Sequence, residues 1–376
     1  MRRAPDGGFV RIFHLDNEKT WRGGERQALL LADGLRTRGI ASVIGCRPGA
    51  PLAGMAQAVG VPVAPIPGNN FGAALALPRV VRTHDLIHCH TGRGHSLAVL
   101  TSAWHRKPFL VTRRVDFLPG RGWFNRYKFR CAARVVCISQ FIADQLAAWG
   151  VPRERLSVIR SAVPMPAPQL LTPEHRTAAR TRLGVAPDVK LVGNIAAMVG
   201  HKDQATLLRA AEVVIKQRRD VRFVILGDGE LREPLLALRR ELNLEDKVLM
   251  PGFVPRAEEF LPAFDVFAMS SCMEGLGSIV LDAFAAGTPV AATAGGGIPE
   301  TVRHEETGLL VPVGDHAALA GAILRLLSEE KFGARLCGNA LATVKREHSV
   351  DRMTGDYLTL YRELVPGVRP VSPTGS

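Results

Sequence analysis

Cysteine is scarce in this chain and unpaired in pattern. The residues Cys46, Cys89, Cys131, Cys137, Cys272 and Cys337 form no C-x-x-C pair and no dense cluster. That spacing gives neither a zinc site nor a disulfide framework, and it suits incidental or buried thiols in a reducing compartment. Long apolar runs are also missing. No window approaches the roughly eighteen uninterrupted apolar residues of a membrane-spanning helix, so only attachment to a membrane surface stays open. The N-terminus carries Arg2 and Arg3, but the apolar run from Phe9 to Leu15 is broken by Arg11 and His14 and has no small-residue cleavage site. It reads as a strand rather than a secretory signal.

Acidic residues are depleted in one half only. Residues 1–165 hold 24 basic and 9 acidic side chains, whereas residues 166–376 hold 24 and 26. The formal excess of +13 therefore belongs to the first half, which points to an anionic surface or partner there. What is plentiful is apolar material. With 47% apolar and 22% charged residues the chain can bury a core, and a length of 376 residues predicts two domains rather than one.

Short apolar runs alternate with amphipathic stretches nearly throughout. Strands are expected at 9–15, 41–46, 62–66, 85–90, 108–112, 134–138 and 156–159, with helices at 25–38, 51–59, 93–104, 124–131 and 140–149. Pro164, Pro166, Pro168 and Pro173 then predict an extended connection, and the domain boundary is placed there, with domains at 1–165 and 166–349. The alternation resumes with strands at 191–196, 221–226, 247–250, 265–269 and 289–292. Helices are expected between them at 203–217, 230–241, 257–262 and 277–286, and afterwards at 316–328 and 350–363. Such a pattern argues for two α/β domains, each a doubly wound parallel sheet whose ligand edge lies at the carboxyl ends of the strands. A disordered tail is expected over 365–376.

The sharpest local signal runs from Ser270 to Pro289. A strand ends, Glu274 is presented, Gly275 and Gly277 let the backbone approach a ligand, and a helix starts at Ser278 with free N–H groups. This is an anion site with an acid beside it. Asp282 follows Glu274 by about two helical turns and can look back toward the same ligand. Gly227-Asp228-Gly229-Glu230 is a strand-to-helix turn and not the dinucleotide fingerprint G-x-G-x-x-G. His88 and His90 share one face of a strand, yet no third ligand is evident and no metal is expected. His90 is instead expected in a cleft. Between Arg121 and Arg134, the basic residues Arg126, Arg130 and Arg134 recur every fourth position beside Trp123 and Tyr127. Two readings compete: a helix that docks on anionic lipid, and a surface helix whose aromatics pack inward. The charge of the first half favours the membrane.

These segments, in this order, resemble retaining glycosyltransferase family 4 (glycosyl transferases group 1) of the GT-B superfold. Glu274-Gly275-Leu276-Gly277 followed by Asp282 is similar to the family's E-x7-E segment. Trp21-Arg22-Gly23-Gly24-Glu25 is similar to its first glycine loop. Val136-Cys137-Ile138-Ser139, His201-Lys202-Asp203, the 227–230 turn, Gly295-Gly296-Gly297-Ile298-Pro299-Glu300 and Thr307-Gly308-Leu309-Leu310-Val311 also match. The resemblance implies two Rossmann-like domains facing across a cleft, with the last helix crossing back onto the first domain. It implies that Gly23 and Gly24 close over the donor, that Lys202 pairs with its diphosphate, that Glu274 binds sugar hydroxyls, and that Asp282 takes the ribose. Gly227, Phe253, Gly275, Leu276, Gly277 and Ser278 are assigned to the donor by the same likeness. Glu274, Lys202, His90 and Arg114 are the expected catalytic group, and Arg113 joins Trp123, Arg126, Tyr127, Arg130 and Arg134 on the acceptor or membrane side.

Three positions depart from the family pattern. The second glutamate is Asp282, the arginine often found five residues before the lysine is Ala197, and the histidine often found near the end of the fifth strand is Arg114. An arginine only donates hydrogen bonds, so Arg114 implies binding of acceptor or phosphate oxygens rather than proton abstraction. The resulting expectation is sugar transfer, with retained configuration, from a UDP-, GDP- or ADP-sugar to a glycolipid or lipid-linked saccharide of a bacterial envelope. No cofactor, no metal and no nucleic-acid partner are expected, and the location expected is the cytoplasm or the inner face of its membrane. Alternatives are an epimerase-like enzyme or phosphorylase of the same superfold, a sugar-nucleotide binder without turnover, and a basic nucleic-acid-binding protein, for which no binding motif is present.

Overall fold

The computed structural model of the chain describes residues 10–115 and 117–365. Of the tail expected over 365–376, residues 366–376 lie outside the described residues. The chain divides into two compact units: one contains the residues up to Ala162 and those from Val350 on, and the other is Val163–Ser349.

The first unit begins with β1 (Ile12–Leu15), α1 (Gly23–Thr37), β2 (Ser42–Cys46), α2 (Pro51–Ala58), β3 (Val63–Pro65) and α3 (Asn70–Val80). It continues with β4 (Leu86–Cys89), α4 (Gly92–Leu100), α5 (Ser102–His105), β5 (Phe109–Arg113), α6 (Trp123–Cys131), β6 (Arg134–Cys137), α7 (Gln140–Trp149) and β7 (Leu156–Val158). The strands form one parallel sheet in the order β3-β2-β1-β4-β5-β6-β7. The order reverses between β1 and β4, and that switch point is where the carboxyl ends of an open α/β sheet leave room for a ligand. Helices start where short polar side chains cap them: Asn69, Thr91 and Ser139 accept from the backbone three residues on.

The second unit has α8 (Pro173–Arg182), β8 (Lys190–Ile195), α9 (Gln204–Gln217), β9 (Val221–Leu226), α10 (Arg232–Glu241), β10 (Val248–Gly252), β11 (Val266–Met269) and α11 (Ser278–Ala285). It ends with β12 (Val290–Thr293), α12 (Ile298–Thr301), β13 (Leu309–Val311), α13 (His316–Ser328) and α14 (Glu330–Glu347). Its six strands are parallel in the order β10-β9-β8-β11-β12-β13, with the reversal between β8 and β11. Its core is built from Val192, Phe223, Ile225 and Val266 of the sheet against Leu207, Leu208 and Ile323 of α9 and α13.

Several elements differ from the sequence expectation. The proline-rich connection is not extended throughout: a 3-10 turn at Pro168–Leu171 leads to Thr172, which caps α8, with Pro173 at the first helical position, where a missing N–H costs nothing. Asp265 fixes α8 to the sheet by accepting from Arg176 at 2.9 Å, Arg180 at 2.6 Å and the Leu191 amide at 2.7 Å. Helices α3 and α14 and strand β13 are additional to the elements expected from the alternation. The helix expected at 93–104 is two helices meeting at Thr101, and the segment expected at 257–262 is a 3-10 helix, Ala257–Ala263.

The final helix, α15 (Val350–Leu364), belongs to the first unit. Met353, Tyr357, Leu358 and Tyr361 bury against Ile12, Leu31, Leu35, Leu86 and Leu110. Arg38 of the α1 end donates to Asp351. Truncating a buried aromatic in such a cluster costs about 3–5 kcal/mol. Trp21, Trp104, Trp123 and Trp149 are the four tryptophans of the chain and all precede residue 162, so tryptophan fluorescence reports on the first unit. Tyr361→Ala should lower the denaturant midpoint seen by that signal, and an unchanged midpoint would contradict the role of α15 in this core.

Candidate functional site

In the second unit, the loop after β8 and the loop after β11 dock on each other. The Cys272 amide donates to the His201 carbonyl at 2.9 Å, and Ser270 Oγ donates to the Lys202 carbonyl at 3.1 Å. These bonds bring Lys202 Nζ onto Glu274 Oε1, and Ser271 Oγ donates to the same oxygen at 2.9 Å. Both side chains of the ion pair are largely shielded from solvent. The cation and the carboxylate that the sequence singled out therefore converge on one point beside the start of α11.

The loop Gly295-Gly296-Gly297 forms the floor under that point. A Cβ on Gly295 would meet the Ser271 carbonyl oxygen at 2.3 Å, one on Gly296 the Glu274 carbonyl oxygen at 2.4 Å, and one on Gly297 the Gly275 carbonyl oxygen at 2.3 Å. Gly296 also has φ +59, so glycine is required there on two counts. The Gly297 amide donates to the Glu274 carbonyl at 2.8 Å, while Thr293 and Thr301 hold the carbonyls of Ser271 and Leu276. Gly277 enters α11 with φ +75. Asp282 lies on the second turn of α11 and is buried, and Leu276 is buried beneath the turn. Gly227, with φ +148, lies against the Ala196 carbonyl, so the 227–229 turn and the strand end at Ala196–Met198 lie in direct contact. Phe253, just past β10, is 73% exposed.

In the first unit, a polar cluster occupies the carboxyl end of one sheet face at the β1/β4 switch point. His14 and His88 are register partners on β1 and β4. His90 follows β4, and Arg114 follows β5. His14 Nδ1 and His90 Nε2 lie 2.9 Å apart, and the Arg114 guanidinium donates to His90 Nδ1 at 3.1 Å. His88 bonds Tyr361 and Thr112, each at 2.6 Å, and Thr112 bonds Tyr357 at 2.8 Å. Burial keeps the three imidazoles neutral, with His14 lowered to about 3 and His88 and His90 far below the ordinary histidine range; the Arg114 charge adds to this. The stem of Arg114 lies 4.0 Å from where a Cβ on Gly24 would sit, so the arginine borders the first glycine loop. Glu25 accepts from the Arg22 amide at 2.7 Å and so fixes the entry of α1 next to Gly23.

His14, His88 and His90 bring ring nitrogens within 4.8 Å of one another, a spacing that fits a metal ion. Their nitrogens are already engaged, however. All but His14 Nε2 bond one another, a hydroxyl or Arg114, and the adjacent guanidinium opposes a second cation.

The helix expected at 124–131 is present as α6, but the basic stripe expected over Arg126, Arg130 and Arg134 lies on it only in part. Trp123 is 78% and Tyr127 50% exposed, while Phe129 anchors α6 inward against His95 and Trp149. Arg126 and Arg130 are exposed. Arg134 does not continue the stripe, which corrects the every-fourth-position expectation: α6 stops at Cys131 because Ala132 is extended, and Arg134 opens β6, donating to the Glu154 carbonyl and pairing with Glu363. Arg113 stacks over Phe117 at 5.0 Å. Among the described residues no helix is long and apolar enough to cross a membrane.

Sequence reasoning missed Ser271, Thr293, His14, Thr112, Tyr357 and Asp16. Asp16 lies directly after β1; its Oδ1 accepts from the Glu18 amide at 3.3 Å, and its Oδ2 is buried without a partner among the described residues. Burial first, and then the nearby Glu25 carboxylate, raise Asp16 from 3.8 to about 7.

Residues 21–165 match the family model described as Glycosyltransferase Family 4, and residues 175–342 match Glycosyl transferases group 1. The chain is 29% identical over 257 residues to the lipopolysaccharide core biosynthesis glycosyltransferase LpsD of Rhizobium meliloti, spanning 68% of this chain and 70% of LpsD. It is 31% identical over 234 residues to LpsE of the same organism, spanning 62% and 65%. Among solved structures it is similar to Anabaena HepE in complex with UDP and glucose, with a TM-score of 0.85, 21% identity, and 94% of this chain and 100% of that one covered. This last likeness concerns the fold.

The Asp16 carboxyl generates a stability prediction. Between about pH 4 and 7 the folded chain holds a proton that the unfolded chain releases, so this group's contribution to stability falls as pH rises through that window. Asp16→Asn, a neutral near-isostere, should melt at a higher temperature than the parent at pH 8 and lose that advantage near pH 4. The gain at pH 8 should be a few kcal/mol at most, since each tenfold change in proton affinity corresponds to about 1.4 kcal/mol. Equal melting temperatures at pH 8 would refute the assignment.

Proposed function

Because the chain is a GT-B glycosyltransferase that belongs to family 4 and its group 1 relatives, we propose that it transfers a sugar from a nucleotide-diphosphate sugar to a glycolipid or lipid-linked saccharide of the bacterial envelope, with retained anomeric configuration. The observation that carries the reading is the meeting of Lys202 and Glu274 at the start of α11. A cation and a carboxylate side by side match the two ends of a nucleotide sugar's reacting bond. Lys202 receives the diphosphate oxygens, and Glu274, oriented by Ser271, receives hydroxyls of the sugar. Amides near Leu276, Gly277 and Ser278 add donors toward phosphate or sugar oxygens, and Asp282 takes the ribose.

Sugar departure passes through an oxocarbenium-like transition state, and negative charge grows on the leaving diphosphate. Fixed donors aimed at that charge lower the barrier because they need no reorganisation as the bond breaks. No step requires a metal. Envelope acceptors are supported by the likeness to LpsD and LpsE, which are glycosyltransferases of lipopolysaccharide core biosynthesis. The first unit supplies the acceptor side, with His90 and Arg114 at its switch point and the aromatic and basic surface of α6 beside the membrane, while Gly23 and Gly24 keep the donor role that the family likeness implies. Its location is then peripheral, on the inner face of the cytoplasmic membrane.

Glu274→Ala should lower kcat by about 10²–10³ with sugar nucleotide saturating, while circular dichroism stays that of the parent. Turnover within about threefold of the parent would sink the site. On the membrane side, each basic residue near an anionic surface contributes about 1 kcal/mol. Arg126→Gln with Arg130→Gln should therefore weaken partition into vesicles containing phosphatidylglycerol by roughly tenfold or more, whereas Arg134→Gln should have little effect because Arg134 is engaged by Glu363 and Glu154. Unchanged partition of the double variant removes the membrane reading.

A further inference from the structure

The three histidines and Arg114 at the switch point have a fixed hydrogen-bond direction. A guanidinium has donors only, so His90 Nδ1 must accept from Arg114. In a neutral imidazole the proton then sits on Nε2, and His90 Nε2–H donates to His14 Nδ1. His14 in turn carries its proton on Nε2, which is buried without a partner among the described residues. Behind this chain the His88 ring lies 3.9 Å from the His90 ring, and His88 is held by Tyr361 of α15 and by Thr112, which Tyr357 supports. His90 can therefore neither swing away nor act as a base toward a substrate, because both of its nitrogens are engaged inside the sheet edge.

What this arrangement leaves is a half-buried cation with a set orientation. Among the described residues Arg114 makes one hydrogen bond, to His90, and no ion pair. Asp16 after β1 and Glu25 of α1 feel its charge without pairing with it. A guanidinium held by a neutral acceptor presents a positive charge that no neighbouring carboxylate compensates.

We propose that Arg114 is the receptor for an anionic oxygen, on a phosphate or carboxylate of the acceptor, and that His90, backed by His14, is the positioning residue that aims it. The proposal rests on the reading that the first unit's switch point receives the acceptor. Its chemical consequence is a preference for acceptors that carry negative charge near the hydroxyl to be glycosylated.

The test uses the full chain in two arms. In the first, 15N-histidine labelling and long-range imidazole spectra read the tautomers. His90 should be the Nε2–H form without titration between pH 5.5 and 8.5, and Arg114→Met should remove the hydrogen-bonded shift of its Nδ1; an Nδ1–H form in the parent overturns the proposal. In the second arm inorganic phosphate is the probe, in a Lys202→Met background so that the second unit's anion site does not contribute. Phosphate should bind, Arg114→Met should abolish binding, His90→Phe should weaken it about tenfold, and His90→Gln, whose carbonyl can accept from Arg114, should restore most of it. Binding that is equal in the His90→Phe and parent backgrounds overturns the positioning role, and no phosphate binding in the parent overturns the receptor role. Assays of transfer separate the two readings. If both arms behave as stated but no sugar is transferred to any acceptor, the functional reading fails and the anion receptor stands; if transfer proceeds with an unchanged acceptor KM in Arg114→Met, the receptor fails alone.

Discussion

The ion pair between Lys202 and Glu274 is the contact on which the chemistry proposed for the second unit depends. Neither side chain would choose this place unaided, since shielding a lone ammonium or carboxylate from water is costly. Three things make it tolerable. The partners satisfy each other, Ser271 completes the carboxylate, and the backbone around them is locked by the glycine floor at 295–297 and by the bonds from Ser270, Cys272, Thr293 and Thr301. A site prepared in this way has its donors and acceptor in place before a charged ligand arrives, which is where electrostatic catalysis gains its advantage. Gly277 enters α11 in the left-handed region, and among the described residues no side chain caps that helix start.

The first unit solves a different problem with the same architecture. On one sheet face the side chains run from apolar to polar along each strand: Ile12, His14 and Asp16; Leu86, His88 and His90; Leu110, Thr112 and Arg114. The apolar ends bury under Tyr357, Tyr361 and the α1 leucines, and the polar ends reach the switch point. Helix α15 therefore serves packing and polar organisation at once. Its two tyrosines close the core and also satisfy His88 and Thr112, so the support of the switch point comes from the far end of the chain.

Much of this is legible in the sequence. The alternation of apolar runs implies two parallel α/β units because strands buried on both faces must be apolar and short. The Glu274 segment announces itself because an acid between a strand end and a glycine-led helix has few purely structural uses. The elements that escape such a reading have identifiable reasons. Helix α3 contains Pro78 and Gly72, α14 contains Gly333 and Gly338, and α8 hides behind a proline cluster that serves as a helix start. Arg134 looks helical by spacing, but spacing cannot see that Ala132 turns the chain into β6. His14 and Asp16 could have been found by carrying the period-two alternation of β1, β4 and β5 past their apolar cores. Ser271 could not, because its importance comes from a bond to Glu274 that no periodicity encodes.

A diphosphate sugar bound at the Lys202–Glu274 point must stabilise the folded chain through Lys202. The most direct measurement is a thermal-shift titration of the full chain with UDP-, GDP- and ADP-sugars, in parallel with Lys202→Met. At a hundred times its dissociation constant a ligand adds about 2.7 kcal/mol to the folded state. One nucleotide class should raise the melting temperature of the parent, and Lys202→Met should abolish the shift. A shift of equal size in Lys202→Met, or none with any of the three classes, would contradict binding at that point.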